Sequence, residues 1–499
     1  MTALSRRHVL GAASVLAATG AFGPDLWAQA RDRVVIGMSL EPPVLDPNKN
    51  AAAAIREITY QNIFESLARI DRTGAIGPGL AESWTIAPDG LVYTFKLRTG
   101  VKFHDGEALD ASVVKFAIDR LFAADSAVPG KSLYTDIDKV EAVDAATVRI
   151  TLKTANSYLL YNIALCDAAI QHPKSAATND KKPVGTGPFM FVDRKEGDSI
   201  TLAKAATWRD PGSIKLNNIV FKIVKDPSAQ VSALLAGDVD TFPGFQAPEL
   251  VDRLRKDARF AVVVGSTEGE IIMATNNGKK PFDNLKVRQA MAHAINREEL
   301  IAAESGFGTP IGSHFAPHNK AYVDLTKTYA FDIAKAKALL AEAGYSNGFE
   351  ASLKLPPVGY AQRAGEVLAS QLGKIGIKVA ISQLQWPQWL AEVFRGGNYD
   401  LTVIAHTEAN DLDRYARDGY YWAYNSAEFK AKWREVVGTT DFAKRDELLK
   451  DCQRIVSRAA VNGFLYQLAK IGVWKKELSG MWENSPTPAV DLTGVSWKA

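Results

Sequence analysis

The 499-residue chain has only two cysteines, Cys166 and Cys452, and seven histidines. So few thiols exclude a disulfide-stapled scaffold and a cysteine-built metal cluster. Acidic and basic residues nearly cancel, at 56 against 59. With no long run of like charge, the chain has no basic footprint for nucleic acid. Beyond the N-terminal segment no stretch reaches membrane-spanning length without charges, and there are no repeats or low-complexity linkers. Walker loops and nucleophile elbows are missing, and Gly306-x-Gly308 runs into Thr309-Pro310 rather than opening a helix, so no dinucleotide fingerprint exists. His314 and His318 have ligand-like spacing, but Pro317 between them and Gly312 before them oppose a regular helix. No metal and no cofactor are expected. What remains is ordinary for a globular protein, with 47% hydrophobic and 23% charged residues. Two or three compact units fit that length.

The N-terminus is the most legible segment. Ser5-Arg6-Arg7-His8-Val9-Leu10 sets paired arginines ahead of an Ala- and Gly-rich apolar stretch, Val9 to Gly23. Ala28-Gln29-Ala30 then offers the small-x-small pattern of a signal-peptidase site. Residues 1–30 read as a twin-arginine export signal, cleaved after Ala30, which hands the protein to the twin-arginine export machinery and the periplasm. The apolar run is too short for a comfortable bilayer crossing. Export would permit a disulfide, yet both cysteines sit in apolar contexts. Cys452 shares a helical face with Leu448, Leu449, Ile455 and Val456, so two separate buried thiols are expected.

Arg33-Val34-Val35-Ile36-Gly37-Met38 predicts a first strand, running into the proline-rich loop from Glu41 to Pro47 and then a helix from Ala51 to Leu67. Pro88-Asp89-Gly90 predicts a tight turn. Leu91, Tyr93, Phe95 and Leu97 then alternate with polar residues as a half-buried strand does. Asp110 is placed to cap a helix carrying Val114, Ala117, Ile118 and Leu121 on one face. From Ile200 onward strand and helix patterns alternate, which implies a parallel sheet. Examples are the strand Ile219 to Val224, the helix opened by Pro227 and stopped by Gly237, the helix from Ile333 to Ala343, and strands at 350–355, 377–383 and 401–404.

Several stretches, in this order, resemble the family 5 solute-binding proteins of ABC transporters. They are Tyr60 to Leu67, Pro78 to Trp84, Gly90 to Arg98, Val101 to Gly106, Gly185 to Phe189, and Pro281 to Ala290. The resemblance implies an α/β bilobal periplasmic-binding-protein fold, type II-like, with an inserted small α+β domain. It implies a division into 31–75 and 185–276 for the first lobe, 76–184 for the insertion, 277–476 for the second lobe and 477–499 for a return to the first. Crossings are then expected at Ala274-Thr275-Asn276 and near Trp474 to Gly480. It also implies a non-enzymatic receptor that captures a peptide, an opine or another amino compound and delivers it to an ABC permease.

The loop from Ala405 to Tyr415 follows a predicted strand, and loops after parallel strands line ligand crevices. Glu408, Asp411 and Asp413 suit an ammonium group, because a desolvated cation needs a charged partner. His406 stands where peptide-binding relatives carry a tryptophan, which puts a peptide ligand in doubt. Trp386, Trp389, Tyr420 and Trp422 are candidates for holding the apolar part of a ligand, with Pro43 and Val44 of the proline-rich loop. The competing reading is a secreted hydrolase using His406 with Asp411 or Glu408, but no positioned nucleophile is signalled.

Overall fold

A computed structural model describes residues 31–498 apart from 125, 127 and 409, and apart from the side chain of Phe442. The export signal and its cleavage site lie outside the described residues. No helix among them is long and apolar enough to cross a membrane.

An 11-stranded sheet organises the chain. The strand Arg33–Met38 forms where it is expected, with Val34 and Ile36 fully buried. It pairs in parallel with Asn218–Ile223 on one side and with Thr241–Phe242 on the other. The helix Pro227–Ala236 joins those two neighbours; Asp226 caps it by accepting from the Ala229 amide at 2.7 Å, and Gly237 stops it at φ 82°. This is the βαβ unit that the alternation of residues demands. Antiparallel strands Ser199–Lys204 and Phe189–Lys195 extend this half outward. In the other half Phe349–Leu355 pairs in parallel with both Ile377–Gln383 and Leu401–His406.

Two long antiparallel strands, Phe260–Thr275 and Asn462–Lys475, join the halves. Phe260 to Ser266 pairs with Lys475 to Ala469, and Glu270 to Ala274 pairs with Gln467 to Asn462. Glu270 to Thr275 also pairs with His406 to Leu401. The register shifts between Ser266 and Glu270. The residues at the expected crossings, Ala274 to Asn276 and Trp474 to Gly480, begin within this ladder. Ala274 and Thr275 sit in regular pairing with Thr402 and Leu401, and Trp474 pairs with Ala261 and Thr241. A closed ladder is stiff; the break in it lies at Thr267 to Gly269, opposite Leu468.

The small domain is a four-stranded antiparallel sheet of Ala81–Ile86, Val92–Leu97, Thr147–Leu152 and Ile137–Asp144, in that order. The helix Ala111–Phe122 packs on it, and Asp110 caps that helix through the Ser112 and Val113 amides at 2.8 and 3.0 Å. The helix expected from Ala51 to Leu67 is shorter, running Ala53–Thr59. Gln61 takes φ 63°, and the Ile63 and Phe64 amides both return to the Thr59 carbonyl. Gly185 and Gly187 press against this reversal: a Cβ on either would lie 2.0 Å from the Ile63 carbonyl oxygen or 2.3 Å from that of Asn62. Beyond the second long strand the chain packs Leu478, Met481, Val490 and Leu492 into the same core as Val34 and Ile36.

Both thiols are free and buried, with Cys452 among Leu448, Leu449, Ile455 and Val456. Burial, seconded by Asp167, pushes the Cys166 thiol up to about 12. Two thiols should titrate in denatured, unreduced protein and react slowly in the folded state. Finding none after denaturation would contradict this packing.

Candidate functional site

A cavity of about 570 Å³ opens where the helix Ala53–Thr59 and the segment around Asp167 face the loop after Leu401–His406. A smaller chamber of about 220 Å³ adjoins it, and both have Thr407 and Pro488 in their walls. Small ligands favour such concave sites between lobes.

The candidate loop does not present all its carboxylates to this space. Asp411 is buried, and its two oxygens accept from His314 Nε2 at 2.8 Å and His406 Nδ1 at 2.6 Å. The Thr275 amide donates to Asn462 Oδ1, so Asn462 Nδ2 donates to the Tyr415 hydroxyl, at 3.2 and 3.0 Å. That hydroxyl must then donate to His314 Nδ1, 3.0 Å away, which places the His314 proton on Nε2, facing Asp411. Burial opposes ionisation of Asp411, but the two converging imidazoles outweigh it and hold the carboxyl well below its usual range. Burial also pushes His314 below the ordinary imidazole value, against the pull of Asp411. Asp413 is committed as well, to Arg414 at 3.2 Å and Arg417 Nε at 2.8 Å. Burial raises its pKa in spite of those two guanidiniums.

Glu408 alone of the three remains half open, 4.0 Å from Arg56 Nη1. Arg56 reaches from the opposite wall, where Asp167 accepts from its Nε at 3.0 Å and Nη2 at 2.9 Å. Burial works against the Arg56 charge, but Asp167 and then Glu408 hold it firmly cationic. Three further candidates, His406, Trp389 and Tyr420, also line the cavity.

The other candidates lie elsewhere. Trp422 is fully buried behind the wall, stacked on Tyr415 with centroids 4.5 Å apart, and its neighbour Tyr421 faces the cavity instead. Trp386 packs edge-on against Trp389 and lies outside the lining, as do Pro43 and Val44. The proline-rich loop is anchored from another side, through the Leu45 amide to the Asp180 carbonyl. The residues that the sequence concealed are cationic: Arg56, Arg395, Arg414 and Arg417 all reach the wall. Arg414 and Arg417 fall one turn apart beside the acidic loop, and that spacing is the signal an emphasis on carboxylates passes over.

His314, His406 and Asp411 have ligand-type atoms within 4.8 Å of one another. Each of those atoms already has a hydrogen-bond partner, and His406 Nε2 lies 3.1 Å from the Tyr421 hydroxyl. The three form a hydrogen-bonded strut behind the loop. His318, once paired with His314 by spacing, instead bonds Glu268 and Gln467.

Residues 75–428 match the model of the bacterial extracellular solute-binding proteins, family 5. The chain belongs to that family. Glutathione-binding protein GsiB of Pectobacterium atrosepticum is 32% identical over 507 residues, covering 96% of each chain. The protein of that name in Escherichia coli K12 is 33% identical, covering 94% of this chain and 90% of its own. The periplasmic binding protein AgaA of A. tumefaciens R10, solved with agropinic acid, superposes with a TM-score of 0.83 at 27% identity, covering 94% and 99% of the two chains. DppA of Helicobacter pylori, solved with the peptide STSA, gives 0.82 at 25%, again covering 94% and 99%. The family 5 fold is bilobal, and its members are extracytoplasmic binding proteins of ABC importers rather than enzymes.

The strut has consequences for stability. Asp411 and His314 both have folded-state values below their unfolded ones, so each contributes stability above its unfolded value and loses it as pH falls. For Asp411 the loss comes only in strong acid; for His314 it begins below the ordinary imidazole value of 6.5. Replacing Asp411→Asn should destabilise the protein by about 3–5 kcal/mol in neutral urea unfolding. The melting temperature of the native chain should fall between about pH 7 and about pH 5, and fall less in His314→Gln. Equal drops in both would contradict the assignment.

Proposed function

We propose that the cavity takes a small amino compound with carboxylates in excess of its ammonium group, such as glutathione, an acidic opine or an acidic short peptide. The observation that carries this reading is the charge of the larger chamber. Its wall brings together Arg56, Arg395, Arg414 and Arg417 against Asp167 and Glu408. Asp413 behind Arg414 and Arg417, and Asp411 behind His406, bring the acids level with the guanidiniums, but of the four acids only Glu408 stands half open, while Arg395 has no acidic partner among the described residues. Guanidiniums bind carboxylates in a planar, two-pronged fashion and retain their charge when half-buried. Names among the relatives agree in chemistry: glutathione, agropinic acid and a peptide all carry carboxylates.

Within that reading Tyr420, Trp389 and Tyr421 supply apolar and hydroxyl contact, and Glu408 with His406 completes the rim. The lobes divide at Ser266 to Glu270 and at Gln467 to Ala469, a placement supported by the register shift there. Residues 1–30 act as the twin-arginine signal, supported by Arg6-Arg7 and the Ala28-Gln29-Ala30 site. The loaded protein delivers its cargo to an inner-membrane ABC permease.

Native mass spectrometry of the protein purified from its own periplasm tests these points together. The chain should begin at Arg31 and carry one small adduct containing both amine and carboxylate. An adduct without a carboxylate, or a chain that retains residues 1–30, would contradict the respective part.

A further inference from the structure

Of the three loop carboxylates that suit an ammonium group, Asp411 and Asp413 are committed to internal partners. The smaller chamber has two further carboxylates in its wall, Glu57 and Glu268, the second engaged through one oxygen. It lies against the break in the long strands, where Thr267 to Gly269 leave the ladder, and its wall includes Glu57, Glu268 and Lys470. Glu268 is only 5% exposed; one oxygen accepts from His318 Nε2, and the other, Oε2, has no hydrogen-bond partner. Gln467 donates to His318 Nδ1 at 3.0 Å, which keeps the imidazole proton on the Glu268 side. Just behind, Glu270 is 1% exposed and its Oε2 is likewise unpartnered. Burial, reinforced by Asp411 and Glu268, drives the Glu270 carboxyl well above its usual range.

The one lysine nearby does not neutralise these groups directly. Lys470 Nζ points to the main-chain carbonyls of Trp482 and Asn484. Burial lowers it to about 8, although Glu57 and Glu483 favour its charge. Glu57 is itself raised by burial, with Lys470 as the only counterweight. A buried carboxylate oxygen without a donor is costly unless a ligand supplies one.

We propose that the smaller chamber is the ammonium subsite, in which a primary ammonium of the ligand pairs with the Glu268 carboxylate and faces Glu57, while the ligand's carboxylates lie against the arginines of the larger chamber. This rests on the amino-carboxylate reading above and adds the direction in which the ligand lies. The ammonium end enters beneath the strand break, and the carboxylate end faces the loop after Leu401–His406. Because the chamber is walled by both long strands and by Glu57 of the first lobe, filling it couples charge neutralisation to the crossing itself.

The test is calorimetric titration of the full mature chain, in the presence of a chelator so that no metal bridges the carboxylates. The probes are reduced glutathione and its N-acetylated form, which differ only in that ammonium. Glutathione should bind at least about 30-fold more tightly than the acetylated form, the loss typical of a desolvated charge pair that loses a partner. In Glu268→Gln the two affinities should converge through weakening of glutathione alone. Glu57→Gln serves as the second variant, with a smaller loss of the same kind, and unchanged unfolding temperatures establish that both variants fold. Equal binding of the two probes by the native chain, or undiminished discrimination in Glu268→Gln, overturns the subsite and leaves the amino-carboxylate reading standing. Failure of the native chain to bind either probe, and equally an acidic opine and an acidic dipeptide, overturns both.

Discussion

Two hydrogen-bonded strands carry the structural burden of this molecule. Phe260–Thr275 and Asn462–Lys475 run side by side through both halves of the main sheet. Each half borrows one end of the pair: Thr241–Phe242 adds to Asn462–Lys475 on the first side, and Leu401–His406 to Phe260–Thr275 on the other. Lobes built on one ladder cannot drift freely. In the division proposed above they move where the ladder is interrupted, between Ser266 and Glu270. The smaller cavity is walled by the residues of that interruption and the larger one adjoins it through Thr407 and Pro488, so a ligand spanning both touches the frame where its pairing is broken.

Around that point charge is sorted rather than scattered. Guanidiniums gather beside the loop after Leu401–His406, and buried carboxylates gather under the strand break. The strut of His314, Asp411 and His406 keeps the loop in place with its own hydrogen bonds, so the binding surface is formed before ligand arrives. Moving an equilibrium from mostly open to mostly closed takes on the order of 5 kcal/mol of differential affinity. Two or three charge-assisted contacts formed only on closure, each worth about 2 kcal/mol, are of that size.

Much of the fold was legible in the sequence because local chemistry decides it. Asp110 and Pro227 announce helix starts, Gly237 a helix stop, and the strands at 33–38 and 377–383 lie where their patterns place them. The helix expected to reach Leu67 stops early because distant backbone at Gly185 and Gly187 requires a reversal at Gln61, a constraint no local window contains. The cavity was legible only in part. Its loop could be read from the strand that precedes it, but whether a carboxylate faces a ligand or an imidazole depends on residues about a hundred positions away. Asp411 meets His314, and Arg56 meets Asp167, only through the tertiary fold. Glu268 was overlooked for another reason: the glycines of Gly265-Ser266-Thr267-Glu268-Gly269 do mark a break in the strand, but nothing local shows that the break borders a cavity.

The central claim is that ligand closes two rigid lobes about the interruption in the paired strands. Small-angle scattering of the mature protein with and without saturating reduced glutathione tests it most directly. The account predicts a smaller radius of gyration and a shorter separation between lobe centres when ligand is bound, with unchanged scattering from each lobe's interior. Saturating, calorimetrically proven ligand that leaves both quantities unchanged would contradict it.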